Sequence, residues 1–93
     1  MPEYDIYDQV AQKIVKEQQH IVGPLAIEQA QKVKGLFIVN GRVAVEGNKT
    51  QTLEKLVGHY EDIFGPASLD VCREAAGNLF KGLPMEQVPR SLR

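Results

Sequence analysis

The side chains that could carry out chemistry are few in this chain, and they stand apart from one another. His20 and His59 are the only histidines, and histidine is the side chain that titrates near neutral pH without perturbation. Neither has a second histidine or cysteine at metal-ligand spacing, and the i, i+3 pair of His59 with Asp62 is a common feature of surface helices. Cys72, the one cysteine, lies in an apolar helical pattern where a thiol packs as a small hydrophobe. We expect no metal site and no catalytic thiol.

The carboxylates give no stronger sign of catalysis. Glu28 and Asp70 each follow a Gly-Pro pair by a few residues, and a carboxylate there suits the partial positive charge of a helix N-terminus. The chain contains no glycine-rich phosphate loop, nucleophile elbow or metalloprotease helix. We therefore predict a protein that is not an enzyme, with no catalytic, cofactor-binding or metal-binding residues and no cofactor.

Basic residues offer a different chemistry, which is contact with phosphate. Lys32, Lys34 and Arg42 lie close together in the sequence, with Lys13 and Lys16 upstream. A net charge of −1 provides no global attraction to a polyanion, and acidic residues dilute these positive charges. The basic residues are therefore expected to form a solvated face unless the fold brings them together.

Nucleic-acid binding is nevertheless the alternative function, because the sequence predicts two pairs of helices joined by short turns. A helix that enters the major groove needs exposed side chains able to read base edges. Gln29 and Gln31 meet this requirement in the first pair, whereas the second pair offers mainly Arg73.

The elements that must position these residues are organised around a predicted repeat. Gly23-Pro24 recurs as Gly65-Pro66, 42 positions later. The flanking residues also match: Lys13-Ile14-Val15 falls on Lys55-Leu56-Val57, and Ile21-Val22 falls on Ile63-Phe64. Glycine accepts the positive φ that ends a helix, and proline suits the first turn of the next. Each copy therefore predicts an amphipathic helix, a tight turn at Gly-Pro and a second helix, over about 24–34 and 66–80.

A β-hairpin is predicted between the two copies. Asn40-Gly41 separates two runs rich in β-branched residues, and Asn-Gly favours a two-residue turn with positive φ at both positions. This register pairs Ile38 with Val43, and Leu36 with Val45, on one apolar face. The other face carries Phe37, Val39, Arg42, Ala44 and Glu46.

A lone two-stranded ribbon is marginal in water, so it must pack on the helices or against another chain. The candidate interaction surface is therefore Phe37, Val39 and Arg42, together with Lys32 and Lys34. The alternative is that helices of the same chain cover both faces of the ribbon. Asn48, three residues before Gln51, is the predicted N-cap of the helix that follows.

Gly23-Pro24-Leu25-Ala26 and Gly65-Pro66-Ala67-Ser68 resemble the short Gly-Pro-apolar-Ala helical segments of bacterial signalling proteins, which lie near kinase and response-regulator modules. The resemblance covers only the two repeat cores and leaves the hairpin outside. It implies a bacterial regulatory or adaptor role and identifies no functional residue.

Together these patterns predict a mainly α-helical domain with a small β-hairpin, in which two repeated helix-GlyPro-helix units flank a two-stranded antiparallel ribbon. The expected divisions are a single domain over 1–81 (repeat one about 5–35, hairpin 36–47, repeat two about 48–81) and a flexible tail over 82–93. No apolar run reaches the roughly 20 residues that cross a bilayer, and we expect a soluble, cytoplasmic protein. The leading functional prediction is a small regulatory or adaptor module that acts through protein contacts. Its predicted partners are a second copy of itself, as a homodimer, and an unknown protein; the alternative to the homodimer is that the two repeats pack about a pseudo-twofold axis within one chain.

Overall fold

The computed structural model describes residues 5–93 and shows a mainly helical fold with one hairpin. The elements follow the chain as α1 (Ile6–Val22), α2 (Leu25–Ala30), β1 (Leu36–Val39), β2 (Arg42–Val45), α3 (Lys49–Phe64) and α4 (Ala67–Ala76), followed by short 3₁₀ turns at Met85–Gln87 and Arg90–Leu92. Of the described residues, no helix is both long enough and apolar enough to cross a membrane. The predicted fold class, a mainly helical domain with a two-stranded antiparallel hairpin, is confirmed.

The two long helices begin at side-chain caps. Asn48 accepts a hydrogen bond from the backbone N–H of Gln51 at 3.1 Å, which confirms the predicted N-cap. At the start of α1, Asp5 and Asp8 accept from each other's backbone N–H groups, both at 3.0 Å, and so form a reciprocal capping box. The Lys49 ammonium also donates to the Asp5 carboxylate. This contact ties the start of α3 to the start of α1.

Both Gly-Pro pairs lie at the predicted breaks between helices. Gly23 has φ of 68° and ends α1, while Gly65 has φ of 92° and ends α3. Pro24 and Pro66 follow with φ near −60°, directly before α2 and α4. The turns are where the sequence places them. The evolutionary duplication that the repeat suggests stays a prediction.

The second helix of each pair is shorter than predicted. After Ala30 the backbone tightens, because Val33 N–H bonds to Ala30 C=O at 3.0 Å, and α2 ends four residues before Lys34. α4 ends at Ala76, because Gly77 takes φ of 46°. In both cases the apolar period continues beyond the point where the backbone leaves the helix.

The core fills the space between α1, α3 and α4 and the inner face of the hairpin. Its largest side chains include Ile14, Leu53, Leu56 and Tyr60, which are fully buried. The Tyr60 hydroxyl donates to the backbone C=O of Ala26 at 2.6 Å, so the buried phenol is paired. The polar Gln18 amide is also buried and donates to Ser68 Oγ at 2.7 Å. These contacts link α1 to α4 and α3 to α2.

The segment expected to be a flexible tail packs against the domain instead. Pro89 is fully buried and Val88 is 8% exposed. The carboxylate of Glu54 accepts a hydrogen bond from the backbone N–H of Ser91 at 3.0 Å, and the Tyr7 hydroxyl donates to the C=O of Gln87 at 2.7 Å. Two prolines and the absence of a helical period excluded an α-helix here, but they did not exclude a packed, extended segment.

Candidate interaction surface

The hairpin has the predicted register and turn. Asn40 and Gly41 have φ of 52° and 78°, as a two-residue turn with positive φ requires. Ile38 pairs with Val43, and Leu36 pairs with Val45. The side chains of Leu36, Val43 and Val45 are buried, so this face of the ribbon covers the helices. The predicted inner face is confirmed.

The other face of the ribbon is only partly covered by the described part of the chain. Phe37 is 49% exposed and Val39 is 65% exposed. They stand two residues apart on the same strand, and their side chains therefore lie next to each other on one face. Of the two arrangements that the sequence left open, the described residues show one in which about half of Phe37 stays exposed, beside a depression that residues of α3 also line.

The free edge of β2 is closed by polar side chains of α1. Gln12 Oε1 accepts a hydrogen bond from Val43 N–H at 2.7 Å, and Gln12 Nε2 donates to the C=O of Gly41 at 3.1 Å. Asp8 Oδ1 accepts from Val45 N–H at 2.7 Å. Because these strand groups bond to a helix, β2 offers no free N–H at Val43 or Val45 for pairing with a further strand.

Asp8 and Gln12 were not predicted from the sequence as site residues. Their spacing of four residues places them on one side of α1, and that pattern was the only available signal. The same four-residue spacing is equally typical of a solvent-exposed helix face. Only the docking of β2 against this side of the helix shows what the two side chains bind.

The edge of β1 stays open. Leu36 N–H bonds to the C=O of Val33 at 3.2 Å, and Gly35 C=O accepts from Glu46 N–H at 2.8 Å. In an antiparallel pair, bonded and non-bonded positions alternate. The C=O of Leu36 and both backbone groups of Ile38 therefore point away from β2, and no other described residue is shown bonding to them.

The predicted basic residues do not gather into one patch. Lys34 lines a depression of about 330 Å³ beside Phe37 at the base of the ribbon. Arg42 lines a separate groove of about 470 Å³, together with Lys13 and Lys16 of α1. Lys32 is exposed and borders neither cavity. The fold therefore brings Lys13 and Lys16 to the same groove as Arg42. Lys32 and Lys34 lie outside that groove.

The titratable side chains lie in separate surroundings. His59 Nε2 is 2.8 Å from Gln29 Oε1, whereas His20 is exposed at the rim of the larger groove. Cys72 is completely buried, and burial raises the pKa of its thiol. The predicted core position of Cys72 is confirmed.

The carboxylates are also dispersed. Glu28 and Asp70 are both exposed, in the first turns of α2 and α4. Burial acts to raise the pKa of Asp5, but the hydrogen bonds from Lys49 and from Asp8 N–H outweigh it and hold that pKa below its usual 3.8. Within residues 5–93, no three His, Cys, Asp or Glu side chains form a group that could hold a metal ion.

Comparisons of the chain with protein-family models, with curated proteins and with solved structures give no match. The resemblance to Gly-Pro segments of bacterial signalling proteins stays a prediction. The surface defined by Phe37, Val39 and the open edge of β1 is therefore interpreted from its own geometry.

Proposed function

We propose that this chain is a small non-enzymatic regulatory or adaptor module that acts through protein–protein contacts. The observation that carries the proposal is the outer face of the hairpin, where Phe37 and Val39 stand side by side and exposed. The proposed partners are a second copy of the chain and a further protein.

Leaving the outer face of the hairpin exposed to water is unfavourable. A two-stranded ribbon needs cover on its apolar surface, and the helices supply it on the inner face alone. Single exposed apolar residues are ordinary on protein surfaces. An exposed phenylalanine beside an exposed valine on a preformed strand is a better anchor, because phenylalanine, like the other aromatic residues, is enriched in protein interfaces.

The helix-turn-helix alternative has less support. A recognition helix needs length and free base-reading side chains, but α2 has only six residues and Gln29 contacts His59. In α4 the exposed residues include Asp70 and Glu74, which repel phosphate, while Arg73 Nε donates to the C=O of Ser91 at 3.0 Å.

One observation keeps nucleic acid as a second candidate, namely that Lys13, Lys16 and Arg42 line the same groove, although Asp8 and Glu17 line it too. If the groove binds phosphate, a duplex should bind in a salt-dependent way, and replacing Lys16 with Ala should reduce the salt slope by about one unit. Absence of binding at low salt removes this candidate.

The test of the main proposal is affinity capture of the tagged protein from lysate of its own host, with and without nuclease. We expect a nuclease-resistant protein that the double variant Phe37→Ser/Val39→Ser no longer captures. Ile21→Ser is the matched control, since Ile21 is 64% exposed but lies at the far end of α1 from the hairpin contacts. Equal capture by wild type and by the double variant would contradict the assignment of the surface.

A further inference from the structure

We propose that β1 pairs edge to edge with β1 of a second copy, antiparallel and about a twofold axis at Ile38, to form a four-stranded sheet. This inference rests on the proposed function and specifies its first partner. The strand order in the assembly is β2, β1, β1 of the second copy, β2 of the second copy.

The edge of β1 that faces away from β2 is open, which favours pairing with another strand. Backbone N–H and C=O groups on a sheet edge are a template for another strand, and proteins usually protect such edges with charged residues, proline or bulges. β1 is short, which itself limits pairing, but its four residues, Leu36-Phe37-Ile38-Val39, contain none of these. The edge of β2, by contrast, is closed by Gln12 and Asp8. An unprotected edge beside a protected one indicates that β1 is the edge left for pairing.

The free backbone groups are self-complementary about Ile38, and this is the second argument. Ile38 has an outward N–H and an outward C=O, so two copies exchange both bonds at the axis. The C=O of Val39 faces β2 in the ladder, so the N–H of Asn40, in the same peptide plane, points outward. Two steps from the axis, that N–H meets the outward C=O of Leu36 in the other copy. Four hydrogen bonds result.

The N–H of Leu36 is already hydrogen-bonded within the chain, and this favours the register centred on Ile38 over its neighbour. Shifting the axis to Phe37 would require the N–H of Leu36 as a donor to Ile38 of the second copy. That N–H is bonded to Val33 within the chain. The register centred on Ile38 needs only groups that are open.

Side chains and charge agree with the same register. Phe37 stands opposite Val39 of the second copy, and Val39 stands opposite its Phe37, so each exposed apolar residue covers the other. This reciprocal contact is what a twofold interface requires. No charged residue lies within 36–41. The two copies of Arg42 fall on the outer strands, three strand spacings across and two residue steps along, which is about 16 Å, so like charges do not meet.

The area available sets the strength of the dimer. At about 200 Å² for a whole phenylalanine, the exposed 49% of Phe37 amounts to about 100 Å², and Val39, which is 65% exposed, adds a similar area. Two copies therefore have about 400 Å² of these side chains to bury, less than the roughly 1,200 Å² at which stable interfaces begin. An interface of this size is typical of a weak, reversible dimer.

The test is disulfide trapping with two variants that each gain one cysteine beside Cys72, namely Phe37→Cys and Val39→Cys. The two variants are mixed in equal amounts under mild oxidation. In the proposed register, positions 37 and 39 of different copies face each other at a non-hydrogen-bonded pair, with Cα atoms about 4.5 Å apart, which suits a disulfide. Identical positions lie about 8 Å apart, two residue steps along the strand and one strand across. We expect the mixture to form covalent dimer at least tenfold faster than either variant alone.

Cys72 is completely buried, so the wild-type chain is the control for background crosslinking. Hydrogen exchange of the wild type gives a second readout, in which the Ile38 and Asn40 amides slow down as protein concentration rises. Equal crosslinking in the mixture and in the single variants, or none at all, would overturn the register. Exchange independent of concentration would overturn the dimer. Capture of a different protein through Phe37 alongside those results would leave the proposed function standing while this inference fails.

Discussion

Replacing Gly65 with alanine measures how strongly the second Gly-Pro turn depends on a backbone conformation that favours glycine. Gly65 has φ of 92° and ψ of 177°, a region that is essentially restricted to glycine. A Cβ added there would meet no heavy atom within 4 Å, so steric contact with the rest of the protein contributes nothing. The effect of the substitution therefore reports backbone conformation alone.

The expected magnitude is the difference between two opposing contributions. Forcing a non-glycine residue into this region costs about 1–3 kcal/mol. The alanine also restricts the unfolded chain, which returns about 0.4–1 kcal/mol. We predict a net loss of about 1–2 kcal/mol in the free energy of unfolding. In a domain of this size that corresponds to a fall of roughly 5–15 °C in Tm.

The assay is urea unfolding followed by far-UV circular dichroism. Gly58→Ala is the matched control, because Gly58 lies inside α3 and a Cβ there also meets nothing within 4 Å. Alanine should stabilise that helix position by about 0.5–1 kcal/mol. If Gly65→Ala lies within about 0.5 kcal/mol of wild type, or stabilises as Gly58→Ala does, the reasoning about the turn is wrong.

Three further predictions concern other contacts. Gln12→Ala leaves Val43 N–H without its partner, so it should cost about 1 kcal/mol and speed exchange of the Val43 amide; an unchanged exchange rate would contradict edge closure. Val88→Ala should cost about 1–2 kcal/mol in urea unfolding, whereas a flexible tail would show no loss. Burial raises the pKa of Cys72 and Tyr60 above their usual 9.0 and 10.0, so the unfolded chain loses these protons first. Stability should therefore be intact below pH 9 and fall above it, and Cys72→Ala, measured by urea unfolding across this range, should reduce the slope near pH 9.

The parts of the fold that the sequence could predict are those determined by neighbouring residues. Asn40-Gly41 needs only its own backbone conformation to form the turn, and that turn sets the pairing of the strands. The N-cap at Asn48 and the breaks at the two Gly-Pro pairs are equally local. These features were predictable because few distant contacts compete with them.

The parts that sequence reasoning missed depend on contacts between distant segments. Ile21 and Ile63 are apolar residues near the ends of the predicted amphipathic helices, yet they are 64% and 51% exposed. Packing of Pro89 likewise depends on residues far away in sequence. A periodic pattern shows which face of a helix is apolar, but not how far along the helix a neighbour covers that face.

The candidate surface likewise has features that the sequence predicted and features that it did not. Alternation along β1 predicted that Phe37 and Val39 share a face, and the structure shows both exposed. Closure of the β2 edge by Gln12 could not be predicted, because it requires α1 to lie alongside a strand about 30 residues later in the chain. The sequence therefore does not show which of the two ribbon edges is free.

The most direct test of the central claim is photo-crosslinking in living host cells, with a photoreactive phenylalanine analogue at position 37 and, as the control, at position 21. Both positions are exposed, but only position 37 belongs to the proposed contact surface. The account predicts discrete protein adducts from position 37, including a dimer of the chain, and none of the same adducts from position 21. Identical adducts from both positions, or none from position 37, would contradict it.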